Sequence, residues 1–490
     1  MSILAWRTPG RAGSVQAGKR GLGSSKMRPV ARLSVMITLL AAVASCATTH
    51  ETNNTISHKL YYVSPSGSGK NGLSWATAWR DTSSIDWSVI RPGSRIVLDG
   101  GTSTCSTSAY GFEPSKPNPG VTCGQQYSPF TIEQDDITIE RSSAAGHTGT
   151  VVIDGGRDTP LPYCGQRQYA ATTRMSPGID LNGHTGVTIN GMTRSGIVVR
   201  GAENGVVMGN GGHDTLINME IFDNGYAIPH SWGYSSDGNG VLMGGKDNVY
   251  DRLLVHDNGQ DEFHSDAAGY DESGSVVENS WVGALRENPR YQGEPFNDLQ
   301  ASGHDPGCTH ADGVQIFAPG TTMSSLTFNY DVVGPGVNQG VYPSDGGTGT
   351  TFDDVTIENS LFLDTARADI ITDNPVHGWN LSHDTFFATQ GGFQIPGNGV
   401  NVMTSVIKYG GYFSAPGGSW ATSGSFWYGG DPLPGASVHR DPDFLSFPTG
   451  RLPAFSEILD ARLTPTSVTA GSPLSSWSAL LARIDSLNKY

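Results

Sequence analysis

The chain has 490 residues, 65 of them glycine, and only 16% of the residues are charged. That is roughly twice the average glycine content of about 7%, so turns are frequent. The composition excludes a long helical bundle, and the formal charge of −16 argues against nucleic acid as a partner.

Residues 1–45 read as an export signal rather than as part of the fold. They carry Arg7, Arg11, Lys19, Arg20, Lys26, Arg28 and Arg32 and no acid. The apolar run from Leu33 to Val43 is too short to span a bilayer and suits a signal peptide. The run ends Val43-Ala44-Ser45-Cys46, which resembles a bacterial lipobox with Cys46 as the lipidated first residue. Ordinary cleavage near Cys46 without a lipid is the alternative. Removing the seven positive charges takes the formal charge from −16 to −23. The expected product is exported, either as an outer-membrane or cell-surface lipoprotein or as a secreted protein. Its only membrane contact is the lipid, and it is expected to be a monomer.

Residues 46–59 form a polar tether. From residue 60 onward the pattern is that of one all-β domain. It opens with Leu60-Tyr-Tyr-Val63, then a capping helix expected around Ala76 to Ile90, then Arg95-Ile-Val-Leu98. Short apolar strands then recur every 22 to 30 residues or so, separated by Asn, Asp and Gly turns. A repeat of that length marks a solenoid, whereas a sandwich would show hairpin turns at closer spacing. The fold class is therefore a parallel β-helix, with long loops at 155–177 and 285–309 flanking a groove. An even number of cysteines after export, Cys105, Cys123, Cys164 and Cys308, suggests two disulfides. Three pairings are open.

In a β-helix, equivalent residues of successive coils stack about 4.8 Å apart. Val241, Phe263, Val314, Val341, Ile370 and Phe393 align as one inward column. The next position gives an outward column: Leu242, His264, Gln315, Tyr342, Ile371 and Gln394. Two positions before the inward column lie Asn239, Asp261, Asp312 and Gln339, expected in turns at the groove edge. Asp261 and Asp312 on adjacent coils suit a Ca²⁺ site with Asp266, or an acid/base carboxylate pair. The plainer alternative is a ladder of Asx turns.

The densest phrases are Gln260-Asp-Glu-Phe-His-Ser-Asp266 and His310-Ala-Asp-Gly-Val-Gln315. The second resembles phrases in secreted right-handed β-helix carbohydrate-active proteins. That group includes pectate, alginate and chondroitinase-B-like lyases and polygalacturonase-like hydrolases. The opening segment around Leu60 to Leu98 and the closing Asp460-Ala-Arg-Leu-Thr-Pro465 resemble the same group. The chain departs from the lyases in lacking a lysine-plus-arginine pair in one ladder. It departs from the polygalacturonases in lacking an Asp-Asp doublet one coil after His310-Ala-Asp312. The resemblance implies a polysaccharide substrate and, first, a lyase acting on a uronic-acid-containing glycan. A hydrolase using Asp261 and Asp312, or a non-catalytic glycan-binding lipoprotein, are the alternatives. For a lyase, His264 or His310 is the candidate base. Tyr342 or Lys246 could donate a proton, and Arg367 or a metal could neutralise the substrate carboxylate. Asp312 joins the catalytic candidates, and Gln315, Gln339, Gln394 and Glu262 are candidate substrate contacts.

Overall fold

The computed structural model describes residues 59–105, 123–156, 176–230, 233–266, 271–283, 312–317 and, with short gaps, 322–439. The expected signal, Cys46 and the expected tether up to residue 58 lie outside them. The described strands belong to one unit, Ile56–Tyr490.

Those strands form three long parallel sheets of 15, 10 and 12 strands. We call the 15-stranded sheet the first, the 12-stranded sheet the second and the 10-stranded sheet the third. The chain visits them in fixed order. Val249–Asp251 lies in the first, Leu254–His256 in the second, Phe263–Asp266 in the third, and Val276–Glu278 in the first again. Each strand pairs in parallel with its equivalents one coil before and after, as Tyr250 does with Leu216 and Val277. This is a right-handed parallel β-helix, the fold class expected from the repeat.

Strand alternation fills the interior. The first sheet stacks Leu216, Tyr250, Val277, Phe328, Ile357 and Leu381 in register. The second stacks Ile221, Val255, Val282, Val333, Phe362 and Phe386. The third stacks Val241, Phe263, Val314, Val341, Ile370 and Phe393, the column aligned from sequence. All eighteen side chains are buried. Each such burial is worth about 1.5–3 kcal/mol, so the coils hold together by a continuous apolar stack.

The corner between the first and second sheets is tight. One residue there takes a left-handed conformation: Asn218, Arg252, Asn279, Tyr330, Asn359 and His383, with φ between 55° and 61°. Asparagine tolerates that region best among residues with a Cβ. It also stacks, as Asn279 Nδ2 donates to Asp251 Oδ1 at 2.7 Å and Asn359 Nδ2 to Asn329 Oδ1 at 3.0 Å. Beside it, buried side chains cap backbone N–H groups of neighbouring coils. Ser280 N donates to Asp331 Oδ1, Asp331 N to Ser360 Oγ, and Ser360 N to Asp384 Oδ1. Burial pushes the carboxyls of Asp331 and Asp384 well above the usual range.

The start of the domain differs from expectation. Where a capping helix was expected, three short 3₁₀ turns stand at Trp75–Thr77, Thr82–Ser84 and Trp87–Val89. The physical reason is in the caps. Ser74, Asp81 and Asp86 each open a new turn within a dozen residues, and Ser83 and Ser88 hydroxyls bond back to Asp81 and Asp86. Such local bonding competes with a continuous helix. Cys105 and Cys123 stand in disulfide geometry with Cα atoms 5.3 Å apart. Cys164 and Cys308 lie outside the described residues.

Candidate active site

The outer face of the third sheet carries the strongest cluster of chemical groups. His264 pairs in register with Leu242 on one side and Gln315 on the other, and Gln315 pairs with Tyr342. All three polar side chains are partly exposed. Two residues further along the strands, Asp266 pairs with Phe317. Phe317 is partly exposed on the same face and was not singled out from sequence. Counting two positions on from Gln315 would have found it. Gln394 holds its register position opposite Ile371.

His264 is anchored from within. Its Nδ1 lies 2.8 Å from Asp261 Oδ2. An ionised carboxylate only accepts hydrogen bonds, so the contact places the ring proton on Nδ1 and makes Nε2 the basic nitrogen. Asp261 is fully buried. Its Oδ1 accepts from Asp312 N at 2.8 Å, and its own N–H donates to Asn239 Oδ1. Asp312 in turn caps Gln339 N at 2.9 Å. With its amide nitrogen facing Asp312, Gln339 also donates to that carboxylate at 2.6 Å. A polar ladder, buried from Asn239 onward, therefore runs Asn204, Asn239, Asp261, Asp312, Gln339 along the corner between the second and third sheets.

Asn239, Asp261 and Asp312 precede their third-sheet strands, as expected, but they are buried in the wall and not exposed at a groove edge. Their side chains turn inward, and a backbone N–H of the next coil donates to a side-chain oxygen of Asn239, Asp261 and Asp312. Gln339 and Glu262, expected as substrate contacts, are buried too. Glu262 accepts from Asn258 Nδ2 at 2.5 Å, and burial pushes its carboxyl well above the usual range despite that bond. Its place is in the wall, where it locks the Asn258 turn.

Of the three residues expected to hold Ca²⁺, Asp261 and Asp312 are described and buried. Both carboxylate oxygens of Asp261 are committed, to a backbone N–H and to an imidazole, and Asp312 is committed to Gln339. Among the described residues no group of three or more His, Cys, Asp or Glu could hold a metal ion. The side chain of Asp266 is not among those described.

Lys246 stands apart from His264, at the corner between the third and first sheets. Its ammonium is 2.8 Å from Asp271 Oδ2. His310 and Arg367 lie outside the described residues.

A second cluster borders the same corner. His256, on the second sheet, lies between Asp257 Oδ2 at 2.9 Å and Glu220 Oε1 at 3.2 Å. It stacks between Phe222 and Trp281. Burial alone would lower its pKa. The hydrogen bonds with Asp257 and Glu220 win and raise it to about 10. His256 is therefore a buried imidazolium held between the Asp257 and Glu220 carboxyl groups. No local sequence signal separates it from an exposed histidine.

No family model matches the chain, and no curated protein matches its sequence. Solved structures similar to it include the pectate lyase Pel9A, at 15% identity over 84% of this chain and 90% of that one, TM-score 0.39. A rhamnogalacturonan lyase is similar at 12% identity over 86% and 98%, TM-score 0.42. A lacto-N-biosidase from Eubacterium ramulus is similar at 12% identity over 75% and 64%, TM-score 0.40. At such identities and TM-scores, none of these likenesses bears on activity. Among the described residues no helix is long and apolar enough to cross a membrane.

Proposed function

We propose that this protein is an exported polysaccharide-degrading enzyme, a lyase cleaving a uronic-acid-containing glycan by β-elimination on the outer face of the third sheet. The observation that carries the reading is the Asp261–His264 dyad at the head of the His264–Gln315–Tyr342 row. A base fixed in one tautomer by a buried carboxylate is what removal of a carbon-bound proton requires. In the proposed step, His264 Nε2 takes the proton from C5 of the uronate. The C–H electron pair becomes the C4–C5 double bond, and the C4–O bond breaks. Tyr342 protonates the leaving oxygen, and Gln315 between them hydrogen-bonds the sugar. Phe317 offers an aromatic face to the apolar side of a neighbouring ring. Arg367 remains the candidate to neutralise the substrate carboxylate.

The hydrolase alternative needs Asp261 and Asp312 to reach substrate. Both are buried and hold backbone N–H groups, which favours the lyase. A screen of pectate, alginate, glucuronan and neutral glycans, with and without EDTA, tests the reading. Ultraviolet absorbance from an unsaturated uronide is the expected product signal. New reducing ends without it would mean hydrolysis, and binding without turnover would leave a glycan-binding protein. Loss of activity in EDTA would restore the Ca²⁺ expectation. Labelled fatty acid incorporated into the parent but not into Cys46→Ala checks the lipid anchor.

A further inference from the structure

The outer row that holds His264 also continues away from Gln315 and Tyr342. Asp180 pairs with Val207, Val207 with Leu242, and Leu242 with His264, all in parallel register. These three side chains are partly exposed, while Ile179, Val206 and Val241 beside them are buried. Alternation therefore points Asp180, Val207 and Leu242 outward, on the face that carries His264.

The two arms of the row differ in chemistry. Gln315 and Tyr342 can donate to a carboxylate, through an amide and a phenol. Val207 and Leu242 offer neither donor nor charge. Beyond them stands Asp180, whose Oδ1 accepts from Asn182 N at 2.8 Å, which ties the carboxylate to its own turn. From Asp180 to Tyr342 the row contains no lysine or arginine. Arg200 and Lys246 flank the Val207 and Leu242 strands in sequence, but they lie 2.7 Å from Asp154 and 2.8 Å from Asp271.

Coils repeat about every 4.8 Å. A pyranose unit in an extended glycan advances by a comparable length, so successive sugars lie over successive coils. In the β-elimination proposed above, the leaving oxygen departs toward Tyr342. The uronate over His264 then stays joined, through its C1, to the unit over Leu242. A carboxylate on that unit would lose water against Leu242 and gain no partner, which is costly. One on the next unit, over Val207, would face Asp180 across about one coil spacing, where like charges repel. Neutral sugars meet neither penalty and can lay their C–H faces on the two aliphatic side chains. The formal charge of −16 acts in the same direction, because it disfavours a glycan with a carboxylate on every unit.

We infer that Leu242, Val207 and Asp180 select a heteropolysaccharide in which the cleaved uronate is followed, on its C1 side, by neutral sugars. The inference rests on the lyase reading above. Gellan, whose repeat holds a single uronate among neutral sugars, is added to the panel of pectate, alginate and glucuronan. Mass spectrometry of the end product reads the unit left attached to the unsaturated uronide, and a neutral sugar is expected there. Leu242→Lys should raise kcat/KM on a homopolymer of uronates about tenfold and lower it on the glycan the parent prefers. Asp180→Asn keeps the oxygen that caps Asn182 and removes the charge. It should raise the homopolymer rate a few-fold, more at low than at high ionic strength. A second uronate beside the unsaturated one, or homopolymer rates unmoved in both variants, overturns the selection and leaves the lyase reading standing. A parent that forms no unsaturated uronide from any glycan overturns both.

Discussion

Two corners of the same coil use one backbone device for different ends. From Thr215 onward the chain turns between the first and second sheets in one or two residues. There Ser280, Asp331, Ser360 and Asp384 cap the N–H groups of neighbouring coils. Between the second and third sheets the connections vary widely, from two residues, 128–129, to the long stretches 155–178 and 284–313. Buried Asn239, Asp261 and Asp312 cap coils in the same way, but Asp261 has a second oxygen that holds His264 on the outer face. A stacking ladder thus becomes a positioning element when one rung reaches through the wall. The tight corner is then purely structural, and the open corner couples stability to the site.

The sharpest way to break this comparison is at the site itself. His264→Ala should lower the rate about 10²–10⁴-fold, the span a general base contributes, with the thermal midpoint little changed. An unaffected rate would remove His264 from the chemistry. Asp261→Asn should cost roughly 10–100-fold in rate, as the loss of a carboxylate behind a functional imidazole does. It should also change the pH profile of the rate, which a purely structural role would not.

The next effect is on stability. His256→Leu leaves Glu220 and Asp257 buried without their cation, and should destabilise by about 3–5 kcal/mol, read by denaturant unfolding. His256 also predicts a pH dependence. Its folded pKa of about 10 lies above the unfolded value, so its contribution is full below about pH 6.5. It should then fade as pH rises toward 10. The parent should lose stability over that window more steeply than a His256→Gln variant; equal slopes would show that the imidazolium is not held.

At the tight corner the effects should be smaller and confined to folding. Asp331→Ala orphans the N–H groups of Ser280 and Asn329 and should cost about 1–3 kcal/mol. Activity at a temperature where the variant stays folded should equal the parent's. A loss of activity there would mean that both corners feed the site. Asn359→Gly keeps the left-handed turn and gives up one side-chain bond, so a change within about 1 kcal/mol is expected.

Much of the architecture was legible in the chain. Period-two alternation within a repeat of coil length can be satisfied only by stacking equivalent strands, so the inward and outward columns of the third sheet could be aligned by eye. His264, Gln315 and Tyr342 fell on the outer face for the same reason. The buried polar residues were harder. Asp261, Asp312, Gln339 and Glu262 look like surface residues by type, because burying a carboxylate is costly unless something bonds it. The compensating groups are backbone N–H groups one coil away, 27 to 51 residues distant in sequence. No local pattern reports them. His256 was hidden similarly, since its partner Glu220 comes from the preceding coil.

The amino-acid sequence by itself determined the repeat, the strand faces and the row of outward side chains, because these follow from alternation and from residues that tolerate tight turns. The tertiary structure decided which polar residues face solvent and which brace the wall. Only stacking one coil on the next brings a buried carboxylate within reach of both a backbone N–H and an imidazole. That meeting gives His264 a defined proton position.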